Sequence, residues 1–280
     1  MARYAKWSEA TISRFEGEGR GKGTGASYIP WVQVSDFSSS GDSRRVFSPK
    51  TGRVHHLMST IEWHIFLLLE HDEKVADIRE QFPLDRGTTQ SVAVELGIKH
   101  PTYPGTNIPC VMTGDFLVTL QRPQTNSLTM VDAKSTREAE DIRSMEKLEI
   151  TRTFGDGCGI PHHLVFDSML PQNKVRFLEW IRAAALTQEE EQEHGDFYAT
   201  HKERLLYDLT TYRRTGSLSQ YCEKYDIQTG SRDGTGLRAV RMLLQEHKLL
   251  TDLSQPNPTS IPVSMLKPRI TQGLTLVAGA

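Results

Sequence analysis

The chain has 280 residues, 37% hydrophobic and 24% charged, with a formal net charge of -2. This is ordinary soluble globular composition with room for two domains, and no apolar run approaches the roughly 18 residues a membrane span needs. Cys110, Cys158 and Cys222 are too few and too scattered for a disulfide framework or a zinc site, and the opening residues lack an apolar signal region, so a cytoplasmic protein with no membrane partner is expected.

Residues 1–27 open with a short helix and continue into the glycine-rich stretch Gly17 to Gly25. Lys22 is followed by Gly23 rather than Ser or Thr, and Glu16 stands where a phosphate loop has its first glycine, so a flexible basic arm is expected here and ATP binding is not. Arg44 to Phe47 predicts a strand leading to a turn at residues 49–52. A helix is expected over 59–71, a strand over 75–81 and a short helix or loop over 88–97. The apolar runs Phe116-Leu117-Val118 and Met130-Val131 predict a buried β-hairpin. Helical spacing over 136–154 and a strand at 163–166 then suggest a crossover, and so a mixed sheet with helices on its faces.

A second unit is expected from Pro171, with a helix over 172–186 and a Glu-rich linker or continuing helix over 188–196. Three further helical patterns follow at 197–212, 217–225 and 236–249. The last carries Arg238 and Arg241, which suits a winged-helix unit as well as it suits a small bundle that binds protein. Beyond Gln255 periodicity is lost and an extended tail is expected. The organisation predicted is a catalytic domain over 1–170 with a basic arm, a helical, winged-helix-like domain over 171–255 and a tail over 256–280.

Charge is unevenly spread. Residues 1–60 hold nine Lys/Arg against five Asp/Glu and residues 197–280 eleven against seven, while 61–196 hold 13 against 23. An acidic centre between basic flanks suits a metal-binding core held to DNA by its periphery, and equally suits docking to another protein.

Asp115 and the Asp132-Ala133-Lys134 triplet, with 16 residues between the two aspartates, form the D…(D/E)xK pattern of restriction-endonuclease-like nucleases. Side chains two apart on a strand share a face, so Asp132 and Lys134 would enter one cleft. Asp115, Asp132 and the Ala133 carbonyl would hold Mg²⁺, for which Mn²⁺ would substitute, and Lys134 would position water and offset phosphate charge. Glu62 has two open readings: Ser59-x-x-Glu62 before an apolar run is a capping box, and it is also a candidate catalytic carboxylate. The pairs His55-His56 and His162-His163 lack metal-ligand spacing and are expected in structural or surface roles.

Beyond these patterns, Tyr28-Ile29-Pro30-Trp31, residues 50–57, Ser59-x-x-Glu62, residues 77–84, residues 97–101, Thr113 to Val118, Ala133-Lys134 and residues 146–149 occur in an order that resembles the TnsA family, the endonuclease subunits of heteromeric cut-and-paste transposases. The resemblance covers about residues 17–167. It implies an α/β restriction-endonuclease-like core and a catalytic set of Glu62, Asp115 and Lys134, with Glu62 also at the metal. It further implies cleavage of the non-transferred strand at the 5′ ends of a transposon, beside the DDE transposase TnsB, which cuts and joins the 3′ ends, and the AAA+ regulator TnsC. A glutamine can stand two before the lysine in that family, whereas this chain has Asp132. A stand-alone restriction or repair nuclease and a noncatalytic assembly factor are the alternatives.

Overall fold

The computed structural model describes residues 7–36, 42–186 and 195–269. The chain divides into two compact units, Met1–Leu170 and Pro171–Ala280.

The first unit is built on a four-stranded sheet in the order β3 (Val75–Pro83), β4 (Thr113–Leu120), β5 (Ser127–Lys134), β6 (His162–Phe166). The first three are antiparallel, and β6 runs parallel to β5 after the crossover helix α4 (Ile142–Gly157), so the sheet is mixed as expected. Alternation along the strands sorts the side chains. Leu117 and Met130 enter a core with Leu84, Val92, Ala93, Met112 and Ile150, contributed in part by α3 (Arg86–Glu95) and α4. Val131 faces the other side, near Ile65, Leu68 and Leu69 of α2 (Thr60–His71).

The helix predicted over 136–154 is broken. Thr136–Glu140 is a 3-10 turn, and α4 begins afresh because the Asp141 carboxylate accepts the Arg143 and Ser144 N–H groups as its N-cap. Gly155 lets this helix approach β5 and β6 closely: a Cβ there would lie 2.7 Å from both the Ile160 carbonyl oxygen and Met130 Cε.

The expected strand β1 (Arg44–Ser48) is answered by a second strand, β2 (Arg53–Leu57), that closes a hairpin with it. Arg53 and His55 turn inward from β2 onto Glu80 of β3. Arg53 donates to both Glu80 oxygens, at 2.8 and 2.6 Å, and His55 Nδ1 stands 2.7 Å from Oε2. His55 is therefore a buried structural residue.

The glycine-rich arm is not free. After α1 (Glu9–Gly17), glycines at positive φ (Gly19, Gly21, Gly23 and Gly25) wind the chain around Arg20, a conformation that favours glycine. Arg20, 8% exposed, pairs with Glu18 and Asp36, donates to the Trp31 carbonyl and stacks on Phe15. Gly25 N–H is bound by Asp77 of β3. The flexible basic arm is thus corrected for residues 7–27: its central cation is itself buried and paired, and its backbone is docked on the sheet.

The second unit contains α5 (Gln172–Arg182), α6 (Phe197–Thr211), α7 (Leu218–Thr229) and α8 (Thr235–Gln245), then a two-residue ladder between β7 (Leu249–Leu250) and β8 (Lys267–Pro268). Helix α8 packs against α5, α6 and α7, burying Ala239, Val240, Leu243 and Leu244. Its arginines point inward to backbone: Arg238 donates to the Ala184 and Ala185 carbonyls, and Arg241 donates to the Trp180 carbonyl at 2.7 Å. Of the two readings left open for this unit, a winged helix and a protein-binding bundle, neither is decided by these contacts, which engage both arginines with backbone of their own unit. Residues 256–269 are no extended tail either. Ile261, Val263 and Leu266 are buried, and Leu218 N–H donates to the Ile261 carbonyl. Most of the Glu-rich stretch 188–196, and residues 270–280 of the tail, lie outside the described residues. Among the described residues, no helix is long and apolar enough to cross a membrane.

Candidate active site

The central hairpin forks where the sequence places its aspartates. The β4–β5 ladder runs from Leu120↔Ser127 to Phe116↔Val131. One position further, carboxylates take over from backbone. Asp132 Oδ1 accepts the Asp115 N–H at 2.7 Å, and Asp115 Oδ2 accepts the Ala133 N–H at 2.8 Å. Each strand thus satisfies the other's orphaned donor through a side chain. Alternation sets Asp115, Asp132 and Lys134 on one face at this opening.

Glu62 arrives from the N-terminus of α2. Ser59 is the N-cap, its Oγ accepting the Glu62 N–H at 3.1 Å. The Glu62 carboxylate reaches back to accept the Met58 N–H at 2.9 Å and the Ser59 hydroxyl at 3.2 Å. The two readings of Glu62 are therefore compatible: it closes a cap and stands within electrostatic reach of Asp115 and Lys134. Burial raises the Glu62 carboxyl above its ordinary value, against the opposing pull of its hydrogen bonds and Lys134. Asp115 is pushed well above the usual carboxylate range, by burial first and then by the neighbouring Asp132 and Glu62 charges. Three carboxylates facing one lysine make a site that gains from an added cation. The Lys134 ammonium, partly exposed, has a loose contact with Glu138 at 3.9 Å.

Two residues join the site without having been singled out for it. Gln81, on β3 opposite Asp115, has φ 48 and interrupts the β3–β4 pairing between Glu80↔Phe116 and Phe82↔Gly114. Its amide lies 3.4 Å from Glu62 Oε2 and its oxygen accepts the Thr113 hydroxyl at 3.3 Å, so it spans α2 and β4. His162, from β6, sets Nε2 2.7 Å from Asp132 Oδ2. Asp132, expected as a metal ligand, thus has both oxygens engaged within the protein. Among the described residues, no group of three or more His, Cys, Asp or Glu side chains stands ready to enclose a metal ion.

Residues 72–167 match the family described as "TnsA-like endonuclease N terminal". That span contains Asp115, Asp132, Lys134 and His162, and Glu62 lies before it. Over 177 residues the chain is 40% identical to "Transposon Tn7 transposition protein TnsA" of Escherichia coli, a stretch covering 63% of this chain and 64% of that protein. The match spans a little under two thirds of the relative's length. Over residues 72–167, the chain is therefore similar to the TnsA-like endonuclease N-terminal family.

Proposed function

We propose that the protein is a Mg²⁺-dependent DNA endonuclease subunit of a transposase, cutting the non-transferred strand at the 5′ ends of the transposon. The observation that carries this reading is the forked β4–β5 opening, which gathers Asp115, Asp132 and Lys134 beside Glu62. The donor set is all oxygen, which suits a hard cation. Mg²⁺ commonly takes one or two protein carboxylates and completes its shell with water and substrate phosphate, so two available carboxylates fit it without a closed cage. Asp115, Glu62 and the Ala133 carbonyl would hold it, and Mn²⁺ would substitute; Asp132 supports Asp115 first and reaches a metal only through a remaining lone pair.

When bound, the ion supplies a lowered water pKa and charge stabilisation at the phosphate. The protein's own groups supply the rest. Asp115 and Glu62 accept hydrogen bonds that fix their orientation, and Lys134 offers a partly exposed ammonium to the scissile phosphate as negative charge builds. The proposed partners are transposon-end DNA, a DDE transposase of the TnsB type that cuts and joins the 3′ ends, and an AAA+ regulator of the TnsC type. The relative's description as a transposition protein supports this setting.

The test is strand-specific mapping of cuts on end-labelled transposon DNA with Mg²⁺, comparing wild type with Lys134→Ala, each alone and with both partners. Wild-type 5′-strand nicks that need the partners, lost in the variant, are expected. Nicks made without partners would instead indicate an independent nuclease. Identical patterns from both proteins would place cleavage elsewhere.

A further inference from the structure

We propose that His162 is a positioning residue of the metal site, acting through Asp132; the inference rests on the metal-dependent reading above. The geometry is a chain of three contacts from the sheet edge to the site. His162 Nε2 meets Asp132 Oδ2 at 2.7 Å, Asp132 Oδ1 accepts the Asp115 N–H at 2.7 Å, and Asp115 Oδ2 accepts the Ala133 N–H at 2.8 Å. The His162 and Asp132 side chains are each only 5% exposed, so water cannot readily replace either partner.

The chain of contacts matters because Asp132 has an alternative. Without a donor on Oδ2, its buried carboxylate would gain by rotating toward the cation site and Lys134, and the Asp115 N–H would lose its acceptor. The fork that aims Asp115 would then be held from one side only. His162 removes that freedom. The backbone of α4 passes close to the base of this residue: a Cβ on Gly155 would lie 2.7 Å from Met130 Cε and 3.8 Å from the His162 Cβ. Partners that orient metal-binding carboxylates typically matter about 10- to 100-fold in metal affinity or activity when removed.

The experiment measures Mn²⁺ affinity of the whole chain by calorimetric titration in the absence of DNA. His162→Phe keeps a ring of similar size and lacks the donor, while His162→Gln places an amide N–H at about the reach of Nε2. The phenylalanine variant is expected to bind Mn²⁺ roughly 10- to 100-fold more weakly, and the glutamine variant to recover most of that loss, with both unfolding as cooperatively as wild type. Wild-type affinity in the folded phenylalanine variant overturns the proposal, as does a glutamine variant as weak as the phenylalanine one. Should the phenylalanine variant fail to fold, the glutamine variant decides: affinity near wild type is required, and a tenfold loss rejects the role. A wild-type protein that binds Mn²⁺ with this pattern but cuts no DNA even with both partners present sinks the nuclease reading and leaves the positioning role standing. A wild-type protein that binds no Mn²⁺ sinks both.

Discussion

Asp115 carries the largest electrostatic cost at the site. Burial, then the nearby Asp132 and Glu62 carboxylates, hold its carboxyl well above the usual range. The folded protein therefore binds this proton more tightly than the unfolded chain does. Stability from the group is fully present below the unfolded value of about 3.9 and is lost as pH rises through the raised folded value. Asp115→Asn keeps an oxygen for the Ala133 N–H and removes the charge, so at pH 7 it should stabilise the metal-free protein, by about 0.5–2 kcal/mol. Mg²⁺ should raise the Tm of the wild type, by about 2.7 kcal/mol of stabilisation at a hundredfold excess over Kd, and leave that of the variant nearly unchanged. Thermal unfolding with and without Mg²⁺ checks both halves; a variant less stable than wild type at pH 7 would mean that the carboxylate is not strained. At this scale the placement of Asp115 and Lys134 at the hairpin opening and the Ser59–Glu62 cap were legible, because each sits in a local pattern. His162 and Gln81 were not, since their roles arise only when β6 and β3 are laid beside the fork. Asp132 was found, but its partners were invisible, so a residue engaged by a backbone N–H and an imidazole read as a free ligand.

Among the elements, apolar runs made the hairpin and α2 readable, and failures came where side chains bind backbone. Asp141 turns one predicted helix into a turn and a helix by capping, and the hydroxyl and carboxylate groups that do this leave hydrophobic spacing unchanged. Helix α8 is the more consequential case. From sequence its arginines suit a nucleic-acid groove, yet Arg238 and Arg241 satisfy carbonyls near and after the end of α5, and Arg241 lies over the Trp180 ring with its centre 4.9 Å from the guanidinium carbon. Burial, then the neighbouring Arg238 charge, lowers the Arg241 pKa. Arg241→Met should therefore weaken folding by roughly 1 kcal/mol, since the half-buried Trp180 carbonyl loses its donor. DNA affinity at fixed salt should stay within about twofold, since a cation spent inside the fold releases no counterions. Urea denaturation and fluorescence anisotropy separate the two; a tenfold loss of DNA binding at unchanged stability would restore a recognition role for α8.

Across the whole chain, the charge blocks and the two kinds of periodicity were visible, whereas the devices that bind distant segments to the first unit's sheet were not. Arg20 draws the N-terminal loop onto its core. Glu80 does the same for the β1–β2 hairpin: it is fully buried, and although burial alone would raise its pKa, hydrogen bonds from Arg53 and His55 hold it down at about 2. The depressed value means that this group's contribution is present above its unfolded pKa of about 4.3 and is lost as pH falls through about 2. Glu80→Gln should cost about 3–5 kcal/mol near neutral pH, because the Arg53 charge is left buried without its partner. The gap between variant and wild type should narrow between about pH 4.3 and pH 2, as the native carboxylate takes up its proton. Tryptophan fluorescence during urea unfolding in a Trp180→Phe background reports the first unit, because the remaining Trp7, Trp31 and Trp63 all lie there. A gap that stays constant from neutral pH to pH 2.5 would show that Glu80 is not the acid-sensitive tie, and acid lability would then have to be sought in the exposed carboxylates.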